Sequence, residues 1–272
     1  MDQDSKFITI KMFWSWAKIV TYIFCSLSVI KKNYYCLAKK LIMKKYIYIL
    51  TILFSISLTS QELYWYDVIL EVDGVDNNKF EETVDAYYST VDFPEDVSMT
   101  FSSINLKGQD FEETHILSFV SPSSQSLANL RASLSGEDWE NYLDLVRPFV
   151  DNVRVSSGNA SRVYNAEEFY PIGQVWGFKV KSKHIPQFTQ AFDKLMQTFD
   201  APGFVGLANV THGISNGENL LIYGTYPDLN SAFTFGPKNE AEAGAFAEFF
   251  NVTGEISEFN QSWTRVKIND YN

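Results

Sequence analysis

A chain of 272 residues has room for one domain or two, and 46% apolar residues with 16% aromatics supply an ample core and exclude a disordered chain. The formal charge of −11 is unevenly spread: nine Lys and two Asp fall in the first 61 residues, and the 13 basic and 31 acidic residues that follow carry −18. So acidic a body is repelled by phosphate backbones and anionic membranes, which argues against nucleic acid as a partner.

The basic N-terminal part reads as a leader. Met43, Lys44 and Lys45 precede an apolar run from Tyr46 to Leu58 and a small polar exit at Thr59, Ser60 and Gln61. This is the pattern of a secretory signal peptide, shorter than the roughly 20 residues that span a bilayer. The expectation is an upstream extension over 1–42, a signal peptide over 43–61 and a periplasmic or secreted bacterial protein, free of the membrane once cleaved. Both cysteines, Cys25 and Cys36, lie in the leader, so the body has no disulfide and no thiolate chemistry.

From Tyr64 to Val72 side chains alternate with period two, which predicts a strand with Tyr64, Tyr66, Val68, Leu70 and Val72 on one face and Trp65, Asp67, Ile69 and Glu71 on the other. Asn78 with Glu81 resembles a capping box, and Phe80, Val84, Tyr87 and Val91 give a helix its apolar stripe before Pro94. Strands are predicted over Met99 to Leu106 and Thr114 to Ser121, helices over Leu127 to Leu134 and Trp139 to Val150. A turn follows at Ser156 to Asn159, then a short strand from Ala160 to Tyr164. The order β-α-β-β-α-β is the split ferredoxin-like unit.

A second unit follows in 166–272. The strand Ile172 to Val180 and the helical residues Phe188, Phe192, Leu195, Met196 and Phe199 match their counterparts at a constant offset of 108, as Pro202 matches Pro94. Ungapped register over five core positions and a stop signal points to duplication of 62–165. Strands Phe204 to Thr211 and Leu220 to Tyr226 flank a turn at Ser215 to Glu218. A helix, Ala243 to Val252, and a strand, Trp263 to Ile268, complete the unit.

Two tandem units of this kind resemble the dimeric α+β barrel superfamily, which includes the antibiotic-biosynthesis-monooxygenase-like domains. The resemblance implies an α+β fold in which two ferredoxin-like repeats close a pseudo-dimeric α/β barrel, with antiparallel sheets and helices outside, as a pseudo-two-fold monomer or a homo-oligomer. It also implies an interior lined by the strand face opposite the helices. In the second unit that face carries Gly173, Val175, Gly177 and Lys179, where the first has Trp65 and Ile69, so the glycines leave room on the second unit's side.

Members of the superfamily that degrade haem or oxidise polycyclic substrates use Asn, Trp, His or Arg in the cavity. By that resemblance Asn209, His212 and Trp176 are the catalytic candidates. Gly173, Gly177, Tyr223 and Arg265 are the ligand-binding candidates, Arg265 as an anion partner. No cofactor is expected: no phosphate loop, dinucleotide fingerprint, nucleophile elbow or HExxH occurs. The spacing of His115, His184 and His212 matches no metal motif. Three readings follow: a non-catalytic barrel that binds a small molecule or acts in assembly, a cofactor-independent monooxygenase or haem-degrading-type enzyme, and a structural protein with a filled barrel.

Overall fold

A computed structural model of the chain describes residues 62–272 except Ser215. The readings of 1–42 and 43–61, and the Ser215 end of the expected turn, lie outside the described residues. The first half contains β1 (Leu63–Val72), α1 (Asn77–Tyr88), β2 (Ser98–Leu106), β3 (His115–Ser121), α2 (Ser124–Ser133), α3 (Glu137–Val146) and β4 (Val150–Tyr164). The second contains β5 (Ile172–Val180), α4 (Ile185–Met196), β6 (Val205–His212), β7 (Leu220–Tyr226), α5 (Leu229–Phe233), α6 (Glu240–Ile256) and β8 (Ser257–Tyr271).

The eight strands are antiparallel throughout and close into a barrel in the order β1-β3-β2-β8-β5-β7-β6-β4. Each half supplies four consecutive staves, β4-β1-β3-β2 and β8-β5-β7-β6, and the seams are β2–β8 and β4–β6. Closure leaves no unpaired sheet edge to recruit other chains. Helices pack on the outer face. In the first half Phe80, Val84 and Tyr88 of α1 meet Leu70, Phe101 and Phe119; in the second Phe188 and Phe192 of α4 meet Phe178, Phe246 and Phe249. Each such fully buried side chain contributes about 1.5–3 kcal/mol. No described helix is long and apolar enough to cross a membrane.

Three local expectations are corrected. Ser156 to Asn159 form no turn: they lie mid-strand in the 15-residue β4, paired with β1 on one side and β6 on the other. Double pairing overrides their turn preference, and Gly158 is required there, since a Cβ would sit 1.8 Å from the Asn209 carbonyl oxygen. The helix from Trp139 stops at Val146, because Pro148 enters a 3-10 turn at Arg147–Phe149. Asp76, not Asn78, holds the α1 cap position, and Glu81 reaches His115 Nε2 at 3.2 Å instead of closing a capping box.

Candidate functional site

Pleating sends alternate side chains of each strand into the barrel. On β1 these are Trp65, Asp67 and Ile69; on β5, Gly173, Val175 and Gly177; Tyr223 enters from β7 and Arg265 from β8. Ile69, Ile104, Phe111, Ile116, Val175 and Trp263 pack together in the lumen. Beside them remains a mainly apolar cavity of about 100 Å³, bordered by Trp65, Asp67, Ser118, Phe169, Tyr223 and Arg265. An eight-stranded barrel has the bore to fill itself or hold one small ligand; the space is smaller than the roughly 150 Å³ that accommodates benzene, so a single ring is the upper limit of what it takes, and only with some give in the lining.

Arg265 is the centre of the polar groups. It is 4% exposed. Its Nη1 donates to Ser102 Oγ at 2.7 Å across the β2–β8 seam, and its Nε donates to the Tyr223 hydroxyl oxygen at 3.1 Å, as does its Nη2. The guanidinium also lies 5.3 Å from the Tyr223 ring centre and 5.9 Å from that of Phe169. All these partners are neutral, and among the described residues Arg265 makes no salt bridge. A buried cation held by neutral groups alone is costly unless something compensates it.

Two further donors border the same space. The Tyr223 oxygen accepts from Arg265, while its own proton has no acceptor among the described residues. Burial raises the Tyr223 pKa and the neighbouring Arg265 charge pulls it back. Trp65 buries its indole N–H without an acceptor among the described residues, and such a group costs about 1–3 kcal/mol. Opposite in character is Asp67, whose carboxyl burial pushes up to about 6, against the pull of the Ser118 hydroxyl and the Arg265 and Arg154 charges. The cavity thus combines polarised donors with one carboxyl poised near neutrality.

Of the residues singled out in the sequence, Gly173, Tyr223 and Arg265 come together. A Cβ on Gly173 would lie 2.5 Å from the Tyr223 hydroxyl and 2.8 Å from Arg265 Nε, so the room this glycine leaves is occupied by the Tyr223–Arg265 pair. Gly177 instead makes space for Glu218, whose carboxylate a Cβ would meet at 2.0 Å and which accepts from Asn260 Nδ2 at 2.9 Å. The cavity is walled by both halves, not by the second alone. Asn209, His212 and Trp176 do not converge. Trp176 has the outward parity of Phe178 and packs 5.2 Å from Phe235 under the helices. Asn209 sits between the inward Ala208 and Val210 and therefore faces out. His212 is exposed at the end of β6, its Nδ1 3.1 Å from Thr211 Oγ1 and 3.3 Å from Ser157 Oγ. Asp67 and Ser102 were not singled out; for Asp67 the signal was an acidic residue on the inner face of β1. Among the described residues no group of three His, Cys, Asp or Glu side chains could hold a metal ion.

No protein-family model matches the chain, and no curated protein matches it. Among solved structures, a "putative monooxygenase" from Fusobacterium nucleatum superposes with a TM-score of 0.55 at 12% identity, over 78% of this chain and 94% of that one. A second, from Lactobacillus acidophilus, gives 0.54 at 10% identity over 77% and 96%. An anthrone oxidase-like protein gives 0.54 at 12% over 78% and 93%. The chain has the dimeric α+β barrel fold. At these identities the likeness is one of fold, and fold alone does not assign chemistry. In this dimeric α+β barrel all eight staves come from one polypeptide.

Proposed function

We propose that the barrel binds one small, mainly apolar molecule, no larger than a single ring, through an oxygen acceptor or anionic group held by Arg265 and Tyr223. The observation that carries this reading is the buried Arg265, which among the described residues makes no salt bridge and is hydrogen-bonded only to hydroxyls beside a cavity, with Asp67 near enough to feel its charge but not paired with it. An acceptor there would take the free Tyr223 proton, and an anion would compensate the guanidinium. Benzoate is a suitable probe. Calorimetric titration is expected to show one-to-one binding, weakened about 5–10-fold in Tyr223→Phe, the loss of one hydrogen bond. Unchanged affinity in Tyr223→Phe would refute the assignment.

A second reading, a cofactor-independent monooxygenase, is supported by Asp67. A carboxyl titrating near 6 can take a proton from a bound phenol or activated C–H, while Tyr223 and Arg265 hold the oxyanion that forms. Dioxygen would be the co-reactant. The likeness to a "putative monooxygenase" and an anthrone oxidase-like protein favours this class. Oxygen uptake with a single-ring phenol such as hydroquinone, abolished in Asp67→Asn, is the expected result. Uptake that survives Asp67→Asn removes the carboxylate from the chemistry.

The same proposal takes 62–165 and 166–272 as duplicated units closing a monomeric barrel. The constant offset of 108 between β1–α1 and β5–α4, and the matching order of staves in each half, support it. Export with cleavage near Gln61 completes it, and N-terminal sequencing of the mature protein tests that point.

A further inference from the structure

A second cavity, of about 340 Å³, lies outside the barrel, between its wall and the helices of the first half. It falls within the 300–1,000 Å³ of typical small-molecule sites and exceeds the lumen cavity more than threefold. Its floor is the outer face of β1 and β4, including Tyr66 and Val68, and its roof is α2 and α3, with Trp139 and Tyr142. On the β4 side Val153 and Val155 also line it, and they are 52% and 44% exposed, so the apolar lining continues to the surface.

Charge distinguishes this space from a packing defect. Among the described residues its only charged lining residues are Arg131 and Arg147, in a chain whose body carries −18. Arg147 is paired with Asp144 at 2.8 Å. Arg131, in the last turn of α2, makes no salt bridge among the described residues. It lies 5.6 Å over the Trp139 ring and near enough to Tyr66 to counter the burial that raises that phenol's pKa. A guanidinium without a carboxylate partner among the described residues, lining an aromatic and aliphatic cavity, complements a molecule with an apolar body and one anionic head. The chain also shows the filled version of this space. At the position matching Val68 the second half has Trp176, at Val84 Phe192 and at Val91 Phe199, and the gap in that helix–sheet layer is about 90 Å³.

We propose that the first half's helix–sheet layer is a binding site for a small anionic amphiphile, whose apolar part occupies the space over Val68 and whose anionic group is held by Arg131. The site is separate from the barrel lumen and does not rest on the function assigned to it.

Calorimetric titration of the chain with dodecanoate, beside uncharged 1-dodecanol, tests the assignment. One-to-one dodecanoate binding is expected, weakened about tenfold or more in Arg131→Gln, while 1-dodecanol binds both proteins equally. Val68→Trp, which copies the second half, is expected to abolish binding of both compounds while circular dichroism and the melting temperature stay at wild-type values. If that variant does not fold, Leu143→Trp fills the same cavity from the helix side. Tyr223→Phe in the lumen is expected to leave dodecanoate affinity unchanged. The proposal is overturned by a wild-type chain that does not bind dodecanoate, by a folded cavity-filled variant that binds it normally, by equal effects of Arg131→Gln on both compounds, or by weakening in Tyr223→Phe, which would place the ligand in the barrel.

Discussion

β1 and β5 occupy equivalent places in the two halves, each between the second strand of a hairpin and a long closing strand, yet they distribute bulk in opposite directions. Inside the barrel β1 carries Trp65, Asp67 and Ile69, where β5 carries Gly173, Val175 and Gly177. Outside, β1 carries Val68 and Leu70, where β5 carries Trp176 and Phe178. Side-chain volume has moved across the sheet while the backbone has not. The first half fills the lumen and leaves space beneath its helices; the second fills its helix layer with phenylalanine and lends its glycines to Tyr223 and Glu218. Interiors pack at near-crystal density, so such a redistribution decides where a ligand can enter.

The largest expected effect contrasts the two helix layers. Phe192→Ala opens the filled layer and is expected to cost about 3–5 kcal/mol in urea unfolding. Val84→Ala, at the matching position, is expected to cost roughly 1–2 kcal/mol. Equal losses would show the layers to be packed alike.

Next is Asp67, whose counterpart is Val175. Its folded pKa of about 6 lies above the ordinary 3.8, so as pH rises the unfolded chain releases this proton first and the fold is penalised, fully so above about 6. Asp67→Asn is expected to raise stability on the order of 3 kcal/mol at pH 7–8. Below about pH 4, where both proteins are neutral at this site, the gain should vanish. A gain independent of pH would contradict the assignment.

The smallest effect concerns His115, which takes the place beside Leu70 that Leu220 takes beside Phe178. It is 1% exposed, between Phe80 and Phe101, with Thr114 Oγ1 2.9 Å from Nδ1. Burial lowers its pKa, with Lys107 adding to the shift and Glu81 opposing it. The unfolded chain therefore takes up this proton first as pH falls below 6.5, and stability contributed above that value is lost. His115→Leu, which makes the first half like the second, should flatten the acid side of the stability profile measured by thermal melts. Retention of the wild-type slope would exclude His115 as its source.

Much of this architecture was legible because period-two alternation in β1 and β5 and the helical stripes of α1 and α4 are set by burial on one face. β4 was not, since Ser156, Ser157, Gly158 and Asn159 have turn chemistry and only the two strands flanking them hold them extended. The site was legible in part. Gly173, Tyr223 and Arg265 share the inner face of neighbouring staves, whereas Trp176 was taken against its own parity, which it shares with Phe178. The orphan indole of Trp65 and the raised pKa of Asp67 depend on what surrounds them, and strand spacing alone does not specify that.

The β2–β8 seam has a kinetic consequence. It pairs Met99 with Tyr271 and Phe101 with Asn269, contacts separated by most of the folded chain. Strand pairings this remote slow the search for the native state. During synthesis the outer edges of β2 and β4 emerge long before β8 and β6 arrive to cover them, leaving the half-made barrel open to pairing with another nascent copy.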